Sequence, residues 1–348
     1  MTPRALAAER LRSHRLTAPA RTVTDAARHM LAVQSQDLLA GRWALGVRTR
    51  GTPTLADVDA AFQRGELVRA WTMRGTLHIV PASDLAWMLS VTRDRQRQQA
   101  ATRDRQLGID AEVLAVALRA LRPALRDGGC SRAEAFSLFE SAGIDPREQR
   151  GIHVLCALTV AGEICLGPFG AGSSAAHEQR YVLTEDWARD STAPADPLVE
   201  LFVRYIDGHG PAGAGDFAWW AGLTLGVARE AAAQAADRVD EIDEGLFVAP
   251  SRPRRAASAP TVVALPAFDE YYLSYADRTA VCAPEHLAVV GPGKNGMVRP
   301  TLVDDGRVVG VWSHALATRG AAPEMFDDGH DADAAASALA RFARFVAA

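Results

Sequence analysis

The sequence predicts an α+β fold in which groups of helices end in β-hairpins and a β-rich region follows near the C-terminus. The first observation is a series of helix signals before two β-rich runs that flank Arg74-Gly75, a two-residue turn signal. The second is that this order of elements recurs twice, although no repeat is visible residue by residue. Helices followed by a hairpin make a winged helix, a DNA-binding variant of helix-turn-helix. We therefore predict three tandem winged-helix motifs scaffolded around a C-terminal β-rich region.

The first motif is predicted from helix caps and the hairpin. Thr54 is a good N-cap and Gly65 a good helix end. The helix after the hairpin opens at Pro81–Asp84 and carries several arginines. Helices are expected at 4–14, 22–33, 38–47 and 55–64, and strands at 67–73 and 76–80.

The second and third motifs repeat this order. Ser131 and Glu134 form a capping-box signature, and a glycine-rich loop at 167–174 lengthens the second wing. The second motif is expected to contain helices at 111–125, 133–141 and 145–161 and strands at 163–166 and 180–183. The third is expected to contain helices at 198–209, 214–222 and 224–236 and strands at 239–242 and 246–248.

The C-terminal region changes to a β pattern after a basic linker at 251–260. Asp304–Gly306 is a turn signal between two of its strands, and an amphipathic helix at 333–346 closes the chain. Strands are expected at 262–265, 288–290, 298–303 and 307–312.

Composition indicates a globular protein. The 348 residues are enough for two or three domains, and 48% hydrophobic with 23% charged residues is ordinary. Four scattered cysteines without a CxxC pattern suggest reduced thiols in a cytoplasmic protein. No apolar run approaches about 18 residues, and the N-terminus lacks the apolar core of a signal peptide. We therefore expect no membrane partner.

The charge distribution favours an anionic partner. Residues 1–110 hold 17 Arg against 10 acidic residues, whereas residues 111–348 hold 21 basic against 32 acidic residues. A basic N-terminal segment suits nucleic acid, while the acidic remainder argues against a protein that binds nucleic acid over its whole surface.

The stretch Leu31–Asp37 carries the most chemical information. Gln34 and Gln36 are carboxamides, which offer donors and acceptors without charge. Residues i and i+2 share a face of an extended segment but lie on roughly opposite sides of a helix. Both glutamines can serve one site only if the preceding helix stops near Val33. The alternative is a polar helix end without a site.

Other catalytic and cofactor motifs are excluded. Gly291–Gly296 matches G-x-G-x-x-G by letter but precedes a β-like run rather than a helix, so it indicates a turn. Walker A, H-E-x-x-H and G-x-S-x-G sequences are absent, and the nine histidines show no ligand spacing. We expect no metal and no cofactor.

Several segments together carry a family resemblance. They are Gln34-Ser35-Gln36, Trp71–His78, Gly210-Pro211 with Asp216–Gly222, Phe268–Arg278, and Asn295–Pro300 with Gly306–Trp312. In this order, which runs over almost the whole chain, they resemble the winged-helix DNA glycosylase family of AlkZ and YcaQ. The AlkZ-type motif is glutamine, apolar residue, glutamine. Both glutamines are present here, and Ser35 replaces the apolar residue.

The resemblance implies a DNA glycosylase with Gln34, Gln36 and Asp37 as catalytic residues. Alkylation at N7 of guanine or N3 of adenine makes the base cationic, so it departs neutral and needs no general acid. Oriented amides can position water and stabilise charge at C1′, a contribution on the order of a few kcal/mol. The expected substrates are such alkylpurines, including bulky adducts or interstrand crosslinks. Asp37 would act as base or orient a glutamine, and a helix N-cap is the alternative.

The resemblance also implies residues for DNA and for the damaged base. Arg74 lies at the predicted hairpin tip and fits a phosphate contact, and an exposed arginine without a DNA role is the alternative. The alternative for His78 is a hydrogen-bonded structural role, and for Arg278 an ion pair with Asp277. The expected DNA contacts are Arg69, Arg74, Thr76, His78 and Arg278, and the expected lesion pocket is Asp269, Glu270 and Tyr271.

The lysine count predicts a monofunctional enzyme. Glycosylases that also cut the backbone use an amine to form a Schiff base. Lys294 is the only lysine, so this residue and the N-terminal amine are the only such groups.

Two other functions were weighed. A non-catalytic winged-helix DNA-binding or regulatory protein has no reason to direct both glutamines at one cleft. A protein–protein scaffold would suit the acidic C-terminal part of the chain, but salt-dependent binding to duplex DNA would argue against it.

We expect a monomer that acts on double-stranded DNA. Its predicted domains are winged helices at 1–107, 108–192 and 193–257 and a β region at 258–348.

Overall fold

The structure is a computed structural model that describes residues 1–170, 178–188, 191–251, 261–294, 296–315, 320–327 and 329–347. The chain forms two compact units. Unit 1 contains residues 1–58 and 198–348, and unit 2 contains residues 59–197. Across the described ranges, we find no helix that is both long enough and apolar enough to cross a membrane.

Helices and antiparallel strands alternate along the chain, which confirms the predicted α+β class. The helices are α1 (Pro3–Ser13), α2 (Val23–Met30), α3 (Leu38–Val47), α4 (Leu55–Gln63), α5 (Leu85–Gln106), α6 (Ala111–Arg126), α7 (Arg132–Ser141), α8 (Arg150–Ala161), α9 (Thr184–Trp187), α10 (Pro197–His209), α11 (Ala214–Ala221), α12 (Leu225–Gln234), α13 (Glu270–Leu273), α14 (Leu287–Val290) and α15 (Ala332–Ala347). The strands are β1 (Val33–Gln34), β2 (Leu67–Met73), β3 (Thr76–Pro81), β4 (Ile164–Phe169), β5 (Gln179–Leu183), β6 (Asp240–Asp243), β7 (Leu246–Val248), β8 (Val262–Leu265), β9 (Thr301–Asp304), β10 (Arg307–Ala315) and β11 (Gly320–Met325).

The repeated order of elements is present as predicted. Three helices precede a strand pair in α6–α8 with β4 and β5, and again in α10–α12 with β6 and β7. The capping box at Ser131 and Glu134 is formed in both directions, because each side chain accepts the other residue's backbone N–H. That the three groups pack as winged helices remains a prediction.

Two helix ends and one element type differ most from the sequence prediction. Helix α2 ends at Met30 rather than Val33, because Leu31 adopts a positive φ of 61°. Helix α8 begins at Arg150 rather than Asp145, because Glu148 and Gln149 also have positive φ. The strand predicted at 288–290 is wrong, since a 3-10 turn at Pro284–His286 leads directly into α14.

Two predicted segments extend beyond the described residues. Residues 252–260 of the predicted linker and residues 171–174 of the predicted glycine-rich loop lie outside them. Strand β11 was not predicted.

Unit 1 is built around a four-stranded antiparallel sheet in the order β11–β10–β9–β8. Trp43 of α3 donates its indole N–H to the carbonyl of Ala264, and Trp312 donates to the carbonyl of Leu265, both at 2.8 Å. The ring of Phe342 from α15 lies 5.4 Å from Trp43 and 4.9 Å from Trp312. These aromatic contacts fix α3 and α15 on strand β8.

Unit 2 contains the strand order β3–β2–β4–β5, so its two hairpins form one continuous antiparallel surface. Arg69 of β2 pairs with Leu166 of β4. The core beside this sheet is formed by side chains of the hairpins and of α6–α8, among them Trp71, Leu121, Phe139, Leu155 and Tyr181.

Candidate active site

The glutamine pair lies between α2 and α3, with Gln34 at the end of β1 and Gln36 in the bend that precedes α3. Helix α2 stops at Met30, and β1 begins at Val33, so the helix ends before Gln34. The chain turns at Leu31, where a positive φ in a non-glycine residue costs about 1–2 kcal/mol. Backbone strain of this kind is found preferentially at functional sites.

The residues of this segment differ in exposure. Gln34 is buried with 7% of its surface exposed, Ser35 is fully buried, and Gln36 and Asp37 are exposed. Ser35 therefore lies inside the protein, where the family motif has an apolar residue. Asp37 is the N-cap of α3, since its Oδ1 accepts the N–H of Ala40 at 3.0 Å.

A buried carboxylate contacts the backbone of the first glutamine. The N–H of Gln34 donates to Oε1 of Glu270 at 2.7 Å. The other carboxylate oxygen, Oε2, accepts from the indole of Trp220 at 3.1 Å and from the hydroxyl of Ser274 at 2.6 Å. Glu270, Trp220 and Ser274 have no exposed surface.

The adjacent acid has a different partner. Arg48 donates to both oxygens of Asp269 at 2.7 and 2.8 Å, and the pair is buried. Asp269 also caps α13 by accepting the N–H of Tyr271. The hydroxyl of Tyr271 donates to the carbonyl of Gly306 at 2.8 Å.

The residues of the predicted lesion pocket are covered by the protein. Asp269, Glu270 and Tyr271 are all buried, with at most 2% of their surface exposed. Their polar groups bind protein partners, and none of the three side chains is presented to solvent. This burial favours a supporting role over direct contact with the damaged base, which stays a prediction.

Unit 2 presents the predicted hairpin. Arg74 and Gly75 form its two-residue turn with φ of 54° and 67°, and positive φ at both positions is what a type I′ turn requires. Arg74 and Thr76 are half-buried at the tip, and the hydroxyl of Thr76 donates to the carbonyl of Met73. Arg69 is half-buried further along β2, with its guanidinium 3.4 Å from Oε1 of Gln179.

His78 takes the structural role that was the alternative to DNA contact. Its side chain is fully buried, and its Nδ1 lies 3.0 Å from the hydroxyl of Thr72. Burial, followed by the charge of Arg74, lowers the pKa of His78 well below its usual value. In this structure His78 is covered and bonded to Thr72, which favours the structural role, and direct contact of His78 with DNA stays a prediction.

Arg278 lies on an aromatic surface of unit 1. Its guanidinium is 5.2 Å from the ring of Trp219 and 5.3 Å from that of Tyr272. Its Nε donates to the carbonyl of Tyr272, while Asp277 accepts the N–H of Thr279. Trp219 is 46% exposed, whereas Arg278 is half-buried and its Nη2 atom is buried, so the tryptophan ring is the more accessible of the two.

Comparison with known proteins identifies the family. Residues 27–347 match the family model described as DNA glycosylase AlkZ-like. The chain belongs to the AlkZ-like DNA glycosylase family. This finding confirms the resemblance seen in the sequence.

Two relatives agree with this assignment. A Streptomyces sahachiroi protein named interstrand DNA cross-link repair glycosylase is 26% identical over 307 residues, which cover 84% of this chain and 82% of the relative. The solved structure of Streptomyces sahachiroi DNA glycosylase AlkZ matches with a TM-score of 0.79 at 23% identity. The match covers 99% of this chain and 96% of that structure, which shows that the two share a fold.

Sequence reasoning missed the supporting residues of this AlkZ-like chain. Glu270 was assigned to the lesion pocket, and Trp220 and Ser274 were given no role at the site. The signal was available, because the matching segments Asp216–Gly222 and Phe268–Arg278 contain these three residues. Among the residues that the structure describes, no group of three His, Cys, Asp or Glu side chains is arranged to hold a metal ion.

Proposed function

We propose that this protein is a monofunctional DNA glycosylase that hydrolyses the N-glycosidic bond of cationic alkylpurines in duplex DNA. The observation that supports the proposal is the pair of neutral amides between α2 and α3, where Gln36 is exposed and the largely buried Gln34 is fixed through its backbone N–H by Glu270. The substrates are N7-alkylguanine and N3-alkyladenine.

The chemistry needs no acid at the leaving group. The bond electrons pass to the base as C1′–N breaks, and they neutralise the positive charge that the alkyl group introduced. Water adds to the oxocarbenium-like C1′ and releases a proton to solvent, which leaves an abasic site. In this proposal Gln34 and Gln36 orient the water and stabilise the charge on the sugar.

We extend the proposal to bulky adducts and interstrand crosslinks. The support is the 26% identical relative, whose name describes it as an interstrand DNA cross-link repair glycosylase. A bulky alkyl group on N7 leaves the base cationic, so the same leaving-group chemistry applies.

The proposed DNA contacts are Arg69, Arg74 and Thr76 in unit 2 and Arg278 in unit 1. Arg74 at the tip of a two-residue turn suits a phosphate, and phosphate contacts fix the register of a protein on a duplex. The guanidinium of Arg278 lies 5.2 Å from the exposed ring of Trp219, so a cation and an aromatic group lie side by side in unit 1.

The absence of strand cleavage follows from the scarcity of amines. Lys294 is the only lysine in the chain, and the N-terminal amine is paired with Asp243 at 2.9 Å.

The test uses a duplex oligonucleotide with one N7-methylguanine, followed by heating in alkali to reveal abasic sites. We expect wild type to release the base, and Gln34→Ala and Gln36→Ala each to lower the rate by about tenfold or more. Gln234→Ala, at an exposed glutamine of α12, is the matched control and should keep the wild-type rate.

Equal rates in wild type and in both site variants would contradict the assigned mechanism. In a parallel reaction with borohydride, we expect no covalent protein–DNA adduct. A trapped adduct would show that an amine takes part and would overturn the monofunctional assignment.

A further inference from the structure

We infer that Glu270 is a positioning residue that holds Gln34 in place through its backbone, an inference that rests on the proposed function. Glu270 and Gln34 are 236 positions apart and belong to unit 1. The contact between them is the 2.7 Å bond from the N–H of Gln34 to Oε1. A bond from an N–H to a carboxylate is shorter and stronger than one between neutral groups.

The carboxylate is itself fixed at its other oxygen. The indole N–H of Trp220 and the backbone N–H of Gln34 can only donate, and each binds a different oxygen of Glu270. The hydroxyl of Ser274 donates to the same oxygen as Trp220. Because each oxygen accepts from a group that can only donate, replacing either oxygen by NH₂ would place two donors against each other.

The glutamine segment needs such an anchor. Strand β1 is only two residues long, and it follows the strained backbone of Leu31. A catalytic group must be held close to its productive geometry, and an error of about 1 Å can cost about a hundredfold in rate. Glu270 holds Gln34 from the protein interior, because none of the surface of Glu270 is exposed whereas 7% of the surface of Gln34 is.

The test is a double-mutant cycle on single-turnover excision of N7-methylguanine. Glu270→Gln keeps the shape but replaces one oxygen by NH₂, which then faces an obligate donor, either Gln34 or Trp220. We expect the excision rate to fall by about tenfold or more, while the Kd for DNA changes by less than about twofold. In the Gln34→Ala background, Glu270→Gln should have no further effect, because both changes remove the same contribution.

A control variant shows whether any carboxylate that accepts a backbone N–H gives the same loss of rate. Glu134→Gln changes a carboxylate of the capping box that also accepts a backbone N–H, at 2.7 Å from Ser131. It should leave the excision rate unchanged. If Glu270→Gln lowers the rate by the same factor with and without Gln34, its effect is independent of Gln34 and the inference is overturned.

Two further measurements keep the inference testable. Hydrogen–deuterium exchange of the 31–37 segment should rise in Glu270→Gln, and unchanged exchange would overturn the inference even if the wild type excises no base. A wild type without activity would contradict the proposed function alone. Should Glu270→Gln not fold, Trp220→Phe removes one donor to Oε2. It should raise exchange at 31–37 and lower the rate by about twofold or more, and no change in either would overturn the inference.

Discussion

At Asp37, one substitution can remove the negative charge and keep the hydrogen bond that caps α3. Its Oδ1 accepts the N–H of Ala40 and so begins α3. Asn is as good an N-cap as Asp, but it carries no charge and cannot act as a base. We expect Asp37→Asn to keep the excision rate within about threefold, because the cap that orients the segment remains.

The control is the N-cap of α6, where Asp110 accepts the N–H of Val113 at 2.9 Å. Asp110→Asn should behave like wild type in both rate and melting temperature. A loss of about a hundredfold in Asp37→Asn, with an unchanged melting temperature, would instead assign Asp37 as the general base.

At this scale the sequence identified residues but not their partners. The glutamine pair and the capping alternative for Asp37 depend on neighbours in the chain, so local reasoning reached them. The bond between Gln34 and Glu270 joins positions 236 apart, and nothing in either segment specifies the other. The burial of His78 likewise depends on how the hairpin packs, since strand position alone does not decide which face is covered.

The hairpin and α5 act as one element through the carbonyl of Thr72. Thr92 and Gln96 of α5 donate to this carbonyl at 2.6 and 2.8 Å. The hydroxyl of Thr72 contacts His78 on the opposite strand. The turn at Arg74 therefore follows Thr72, whose carbonyl is bonded to α5 and whose hydroxyl contacts His78.

We expect Thr92→Val to loosen the hairpin. Valine has nearly the same shape, so the change removes the donor to Thr72 with little effect on packing. The free energy of unfolding should fall by about 1 kcal/mol. The Kd for duplex DNA at fixed salt should rise by about fivefold, because the proposed phosphate contact of Arg74 becomes less well positioned.

Thr159→Val is the matched control for this experiment. Thr159 is equally buried in α8, and its hydroxyl donates only within the helix, to the carbonyl of Leu155 at 2.8 Å. Its removal should change stability by less than about 0.5 kcal/mol and leave the Kd unchanged. Equal effects of the two substitutions would show that the bond to Thr72 does not hold the hairpin. Urea unfolding and fluorescence anisotropy provide the two measurements.

Elements with strong local signals were predicted well, and those set by backbone strain were not. The Arg74-Gly75 turn and the capping box at Ser131 and Glu134 each contain their own signal. The early end of α2 and the late start of α8 depend on positive φ at residues other than glycine, which no sequence pattern announces. The apolar run at 288–290 was too short to distinguish strand from helix.

At the scale of the molecule, unit 1 joins the two ends of the chain. Trp43 contacts Ala264, and Arg48 pairs with Asp269, in each case 221 positions away. Domain prediction from one sequence assigns continuous segments, and it placed residues 1–107 in one domain. In the structure, the N-terminal part of unit 1 ends at Val58. The four predicted segments remain a prediction about the modules.

Both units contain histidines that resist protonation. Burial, reinforced by nearby His209 and Arg48, lowers the pKa of His14 in unit 1 well below its usual value. Burial also lowers the pKa of His29 to about 4. In unit 2 the pKa of His78 is lowered in the same way.

This property predicts how stability depends on pH. An unfolded chain binds a proton on each histidine below about pH 6.5, while the folded protein does not, so acidification favours unfolding. Stability is therefore fully present above about pH 6.5 and falls as the pH decreases. Each such histidine contributes up to about 1.4 kcal/mol per pH unit between its two pKa values. Asp104 and Asp207, whose pKa burial raises, act in the opposite direction at lower pH, so the test stays above about pH 5.

The measurement is urea unfolding at pH 7.5, 6.5 and 5.5, combined with NMR of the histidine ring protons. We expect little change in the free energy of unfolding between the first two conditions and a clear loss at the third. The ring signals of His14 and His78 should not titrate across this range, because their neutral forms persist in the folded protein. A midpoint for either residue near 6.5, together with equal stability at pH 6.5 and 5.5, would show that these imidazoles are open to solvent. In that case the buried position of His78 beneath the hairpin turn would also be wrong, and its direct contact with DNA would need to be reconsidered.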